Sequence, residues 1–186
     1  MNAIAQLWLP ILVTAVLIFI ASSLIHMVFK WHNRDYLKLG NEDEVRAVIR
    51  AGSPAPGQYV IPHCMDMKDM AGEAMKQKFR EGPIALLTVR ANGMPNMGKS
   101  LGSWFVYCIA VAALAACLAI GAFPAGKEHA NSAGHLVGMV SFLTYFGGSV
   151  QLAIWMGKPW GAVAKDLLDS LIFGAISALV FLWLWP

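Results

Sequence analysis

The chain has 186 residues, of which 58% are hydrophobic and 13% charged, and its mean hydropathy is +0.57. This composition excludes an ordinary soluble domain, in which about a quarter of the residues are charged. The formal charge of +3 is small, and the basic residues are interspersed with acidic ones, so we expect no nucleic-acid partner. The three cysteines have no CxxC spacing and predict no disulfide framework. We therefore expect a membrane protein whose first partner is the lipid bilayer.

Four apolar segments are each long enough to cross a bilayer as an α-helix, which takes about 20 residues at about 1.5 Å of rise per residue. Backbone polar groups in hydrocarbon must bond within their own segment, so we expect helix in all four. The segments are residues 7–29, 101–123, 135–156 and 167–185. The expected fold class is an all-α membrane protein with four transmembrane helices in a bundle, and with a small α/β cytoplasmic insertion, residues 30–100, between helices 1 and 2.

The distribution of Lys and Arg predicts the orientation of these segments. Residues 30–100 carry eleven of the 14, and Lys158 and Lys165 flank the third connection. Lys127 is the one basic residue between the second and third segments. Because basic loops stay on the cytoplasmic side, we expect residues 30–100 in the cytoplasm and both termini outside it. The basic residues that follow the first segment also favour a retained anchor over a cleaved signal peptide.

Residues 30–100 are too long for a simple connection and contain the signals of folded structure. Asn41 precedes three acidic residues and predicts the start of a helix that ends at Gly52. Strand candidates at residues 58–61 and 84–90 flank a predicted helix at 69–81, an order that fits a β-α-β unit. Two strands alone are marginal in water, so we expect this segment to pack on the helices, on the membrane surface or on a partner.

One candidate metal site lies in this segment. Its residues are His63, Cys64, Met65, Met67 and Met70. Sulfur ligands with an imidazole suit Cu(I), which makes copper or redox handling one hypothesis. The alternative interpretation is that the methionines fill gaps in packing and that Cys64 is an ordinary thiol.

A candidate cofactor site lies at the end of the first apolar segment, where His26, His32 and Asp35 are grouped. An ionisable residue inside an apolar segment is a functional hypothesis by default, although His26 can instead be a neutral residue bonded to a neighbouring helix. A haem needs a second axial histidine at similar depth, and the sequence predicts none, so no cofactor is strongly implied. Asp166 and Asp169, at the start of the fourth predicted helix, are explained by the helix dipole.

Small residues at four-residue spacing predict close packing of the helices. Gly134 and Gly138 have this spacing in the third segment, and Ser170, Gly174 and Ala178 in the fourth. Such rows serve packing inside a bundle or self-association with a second copy. No Walker loop, GxSxG, HExxH or GxGxxG motif occurs in the sequence, so the motif evidence for an enzyme is weak.

Several short runs resemble a group of small bacterial membrane proteins that has no assigned activity. The runs are His26-Met27-Val28 through His32, Asp35-Tyr36, Lys68-Asp69-Met70, Gly82-Pro83, and Met97-Gly98-Lys99-Ser100-Leu101 followed by Trp104-Phe105. The resemblance covers most of the chain and implies a bacterial inner-membrane setting, with nothing about mechanism.

Three functions follow as hypotheses. The first is a non-catalytic accessory or assembly subunit of a larger membrane complex, with protein contacts through the small-residue helix faces and the cytoplasmic segment. The second is a small oligomeric transporter or channel, for which the absence of charged residues at mid-span in the sequence is unfavourable. The third is metal or redox handling through the His63–Met70 loop.

Overall fold

A computed structural model describes residues 3–186 of the chain, which are mostly helical and form two compact units. The first unit contains the residues up to Leu37 together with Asn96–Pro186, and the second contains Lys38–Pro95. The elements of the described residues are α1 (Trp8–Ser23), α2 (Glu42–Ala51), β1 (Gly57–Ile61), α3 (Met67–Met70), α4 (Glu73–Glu81), β2 (Ala85–Val89), α5 (Met97–Ala122), α6 (Ala130–Met156) and α7 (Trp160–Leu184).

Four helical segments of the first unit are each long and apolar enough to cross a membrane: α1 together with its flanking 3-10 and π turns (Ala5–Phe29), α5, α6 and α7. Three of them begin before the predicted apolar segments, most clearly α7, which starts at Trp160 instead of residue 167. Its first turns contain Lys165 and Asp166, which lower the local hydropathy without breaking the helix. Hydropathy therefore locates the apolar part of each helix, and backbone hydrogen bonds extend it into polar sequence.

These helices contact one another in a ring, since α1 and α6 each pack on both α5 and α7. The contact between α6 and α7 depends on glycine. A Cβ atom added to Gly134 would lie 2.7 Å from the carbonyl oxygen of Ala178, and one added to Gly138 would lie 2.8 Å from the Cβ of Ala178. The small residues identified in the sequence thus bring two helices of the same chain together.

The interior of the first unit has two apolar clusters. Near the end at which α6 begins, the cluster contains Leu7, Ala115, Ala116, Ala119, Ala130, Ala133, Val137, Phe181 and Trp185. Toward the end at which α7 begins, it contains Ala15, Ile18, Ile25, Cys108 and Phe173. The outward faces are apolar as well, and include exposed residues such as Leu114, Leu143 and Leu179. Large apolar side chains on the outside of a helix assembly are typical of a surface that contacts lipid.

The second unit contains a two-stranded sheet and three helices. The strands pair antiparallel, with Gly57 opposite Val89 and Ile61 opposite Ala85, so they do not form the parallel β-α-β unit that their order suggested. The helix predicted at residues 69–81 is divided into α3 and α4 at Ala71 and Gly72. None of the residues 38–95, all of which the structure describes, is buried. This unit therefore has no core of its own.

Candidate metal centre

The end of α1 brings two histidines together through an unusual backbone path. After Ser23 the helix widens into a π-helical turn, Leu24–Phe29, and ends at Lys30, whose φ of 54° is left-handed. A 3-10 turn, Trp31–Asp35, then folds back over the helix end. The rings of His26 and His32 stack, with centroids 4.8 Å apart and planes 7° from parallel. Widened turns of this kind occur frequently at functional sites.

The hydrogen bonds of His26 leave one ring nitrogen free for a ligand. Nδ1 lies 2.9 Å from the carbonyl oxygen of Ser22, within the same helix. A carbonyl can only accept, which assigns the proton of the neutral ring to Nδ1. The lone pair is then on Nε2. The alternative interpretation of the sequence placed the hydrogen-bond partner of His26 on a neighbouring helix. The structure places it on the same helix, at Ser22.

His32 lies between two carboxylates. Its Nδ1 is 2.8 Å from Oδ2 of Asp35, and its Nε2 is 2.8 Å from Oδ2 of Asp169. A neutral imidazole has one donor, so it can donate to only one of these acceptors. A second proton, or a metal ion, must therefore lie between the other ring nitrogen and the carboxylate that it faces.

Asp35 is held in place from its other side. Lys165 Nζ donates to Oδ1 of Asp35 and, at 2.8 Å, to the carbonyl oxygen of Trp31. The Lys165 hydrogen bond, with a smaller contribution from His32, lowers the pKa of Asp35 although partial burial opposes the shift. Asp35 is therefore ionised when it accepts the proton of His32 Nδ1, an arrangement that orients the ring and directs Nε2 toward Asp169.

Asp169 is the buried acid of the site. It lies on α7, roughly two and a half turns from the start of the helix, and is 6% exposed. Its Oδ1 has no hydrogen-bond partner among the described residues. The helix-dipole explanation offered for Asp166 and Asp169 is wrong, because α7 begins earlier and neither lies in its first turn.

The neighbouring acids differ from Asp169 in having lysine partners. Asp166 pairs with Lys158 and accepts a hydrogen bond from Ser149, while Asp35 pairs with Lys165. Within the described part of the chain, Asp169 contacts a histidine and no lysine. Its Oδ2 is paired with His32 and its Oδ1 is without a partner, and a cation at Asp169 would satisfy this oxygen, because a buried carboxylate oxygen without a partner is costly.

We define the histidine-aspartate cluster as His26, His32 and Asp169, whose ligand atoms all lie within 4.8 Å of one another. Two atoms bound to one ion at about 2.1 Å lie roughly 3–4 Å apart, so an ion would need the 2.8 Å contact between His32 and Asp169 to open slightly and any longer separation, up to 4.8 Å, to close. Two imidazoles and one carboxylate match the three-ligand sites of zinc and of non-haem iron. The cluster borders two cavities, of about 380 and 280 Å³.

The structure thus groups all three residues of the predicted cofactor site, His26, His32 and Asp35, around this cluster. The His63–Met70 loop is arranged differently. His63, Met65, Met67 and Met70 are exposed, and the Cys64 thiol donates to the carbonyl oxygen of Asp66 at 3.3 Å. Of the described histidines, cysteines and acids, only the histidine-aspartate cluster has metal-binding spacing.

The sequence prediction missed Asp169 and Lys165. Lys165 lies 130 positions from Asp35, and Asp169 lies 137 positions from His32. The apolar-segment boundary placed Asp169 at a helix start, where a structural explanation sufficed. A usable signal was present, since Lys165, Asp166 and Asp169 have the three- and four-residue spacing of one helix face. Polar residues on one face of a membrane helix indicate an inward-facing site.

No family model, curated protein or solved structure matches this chain. Function therefore has to be inferred from the geometry of the site.

Proposed function

We propose that this chain is a multi-pass membrane protein that binds one divalent transition-metal ion through His26, His32 and Asp169. The observation that carries the proposal is the position of His32 between two carboxylates, beside an Asp169 oxygen without a partner. A metal ion between His32 Nε2 and Asp169 would satisfy both groups and leave the Nδ1 proton for Asp35. This is the arrangement in which a carboxylate orients a metal-binding histidine.

The membrane setting is part of the proposal. Four long apolar helices with apolar outward faces support insertion as a four-helix bundle. The basic residues support an orientation in which residues 30–100 and the Lys158–Asp166 connection face the cytoplasm. The metal site would then lie at the cytoplasmic end of the helices, and the resemblance noted above favours a bacterial inner membrane.

The ligand types favour particular ions. Imidazole suits Zn²⁺ and Fe²⁺, whereas Ca²⁺ and Mg²⁺ are bound almost wholly by oxygen. Cu(I) prefers sulfur, which the cluster lacks. We therefore infer a borderline divalent ion such as Zn²⁺ or Fe²⁺.

The test is the metal content of the full-length protein purified in gentle detergent, measured by inductively coupled plasma mass spectrometry after incubation with Zn²⁺ or, without oxygen, Fe²⁺. We expect about one ion per chain, lost in His32→Ala and in Asp169→Asn. His135→Ala is the matched control, since His135 is an exposed histidine in α6 outside the cluster. His63→Ala separates this site from the His63–Met70 loop. Equal metal content in all four variants, or none in the parent protein, would refute the proposal.

A second role, that of an accessory subunit, is favoured by the unit Lys38–Pro95. It has no buried residue, and its exposed apolar side chains include Val60, Ile61 and Leu86. A unit without a core gains stability by packing on another surface, so we infer a protein partner that covers it. Trypsin should cut this unit faster in the purified protein than in native membranes. The native membranes are prepared as inside-out vesicles, so that the protease reaches the cytoplasmic side. Equal rates of cleavage in these vesicles and in the purified protein would argue against a partner.

A further inference from the structure

The histidine-aspartate cluster supplies three ligands, whereas Zn²⁺ takes at least four and iron up to six. At least one coordination position is therefore open to a further ligand. The larger cavity, of about 380 Å³, gives that ligand room beside the ion, since it is lined by both His26 and His32. A cavity of this size accommodates a small organic molecule.

The charges around the site predict the sign of that ligand. The ion pairs Asp35–Lys165 and Asp166–Lys158 are each neutral. Metal-bound imidazoles are neutral and Asp169 carries one negative charge, so a divalent ion leaves the site with a net charge of about +1. A net charge at a partly desolvated position is unfavourable, and a ligand with one negative charge removes it.

Lys158 provides a second contact for such a ligand. It lines the same cavity as His26 and His32, and its side chain is 28% exposed. An ammonium group has three donors, and Asp166 is the one side-chain partner of Lys158 among the described residues. Because Ser149 also donates to Asp166, that acid keeps a partner if Lys158 is shared.

Resting on the metal site proposed above, we propose that the open coordination position binds a small monocarboxylate from the larger cavity. One carboxylate oxygen would bind the ion, and the other would accept a hydrogen bond from Lys158 Nζ. A phosphate dianion would overcompensate the charge, and a neutral ligand would leave it unbalanced, so the charge favours a monoanion. A carboxylate is the monoanion whose two oxygens can contact the ion and Lys158 together.

The test uses the full-length protein in detergent loaded with Co²⁺, whose visible absorption bands report changes in coordination. Acetate is the probe, and acetamide is its neutral counterpart of nearly equal shape. We expect acetate to shift the bands with saturation and acetamide to leave them unchanged. Lys158→Met should weaken acetate binding at least about tenfold, because it removes one charge-assisted hydrogen bond and leaves Asp166 without its cation, while the Co²⁺ bands are retained. Lys99→Met, at the exposed start of α5, is the matched control.

The outcomes separate the two proposals. Absence of Co²⁺ bands in the parent protein would overturn the metal site itself. Bands that appear but do not respond to acetate, or that respond equally to acetamide, would overturn the carboxylate site alone. Acetate binding of equal strength in Lys158→Met would also overturn it, because the second contact would then be absent.

Discussion

The two nitrogens of His32 have different partners and therefore different tasks in the proposed site. Nε2 faces Asp169 and is the ligand atom, whereas Nδ1 faces Asp35 and sets the orientation of the ring. Lys165 holds Asp35 in turn, through the second carboxylate oxygen. The site therefore depends on residues that would not themselves touch the ion.

Asp35→Asn should weaken metal binding by about 10- to 100-fold, because a neutral amide orients the imidazole less firmly and makes it a weaker ligand. The measurement is a competition titration of Zn²⁺ against a chromophoric chelator. Asp43→Asn is the control, since Asp43 is an exposed acid in α2. Unchanged affinity in Asp35→Asn, with unchanged thermal stability, would show that Asp35 does not position His32.

The sequence predicted three of the five residues of the proposed site. His26, His32 and Asp35 are close in the chain, and a histidine in an apolar segment is conspicuous. Asp169 is conspicuous only once α7 is known to begin at Trp160, because the same residue near a helix start has an ordinary explanation. Pairing of residues so far apart depends on helix packing, which one sequence does not specify.

Among the elements, α6 and α7 depend most visibly on small residues. A Cβ atom added to Gly138 would lie 3.0 Å from the carbonyl oxygen of Gly174, so the two backbones are in direct contact there. Gly147, on the same helix, has open space at the corresponding position. The two glycines therefore give a matched pair for measuring the value of this contact.

Gly138→Ala should lower the free energy of unfolding by roughly 1–3 kcal/mol, the usual cost of forcing an extra carbon into a packed interface. Gly147→Ala should be neutral or slightly stabilising, since alanine favours helix over glycine. Both are measured by thermal unfolding in the same detergent. Similar stability of the two variants would mean that the α6–α7 contact tolerates expansion at Gly138.

The elements differ in how well a pattern predicts them. Long apolar segments can satisfy their backbone only as helices, which is why all four long helices follow from composition. In the second unit, short runs such as Gly57–Ile61 identify strands but not their direction, because two helices between strands allow either pairing. The break between α3 and α4 spans only Ala71 and Gly72, and hydrophobic periodicity measured over a longer window does not resolve so short a break.

For the whole molecule, the charge distribution predicts which end faces the cytoplasm. The second unit and the Lys158–Asp166 connection carry most of the basic residues, whereas the start of α6 has only Lys127 nearby. The orientation can be tested by exposed positions on the two sides, Asn92 and Asn131.

In a Cys64→Ser background, Asn131→Cys should react with a membrane-impermeant maleimide on intact spheroplasts. Asn92→Cys should react only after the membrane is permeabilised, because we expect it in the cytoplasm. Labelling is measured by mass shift on a gel. The reverse pattern would invert the orientation and place the proposed metal site at the outer end of the helices.

The π-helical turn at Leu24–Phe29 has a consequence for the evolution of this site. A π turn contains one more residue than the α turn it replaces, so it corresponds to a single-codon insertion. Removing that residue would return the segment to an ordinary α turn and leave the chain on either side in nearly the same register, so the change would fall on the turn itself, which contains His26. We expect a relative one residue shorter between Ser23 and Lys30 to keep four apolar helices and to lose the His26 ligand of the proposed site, so alignments of such chains should be examined for this gap.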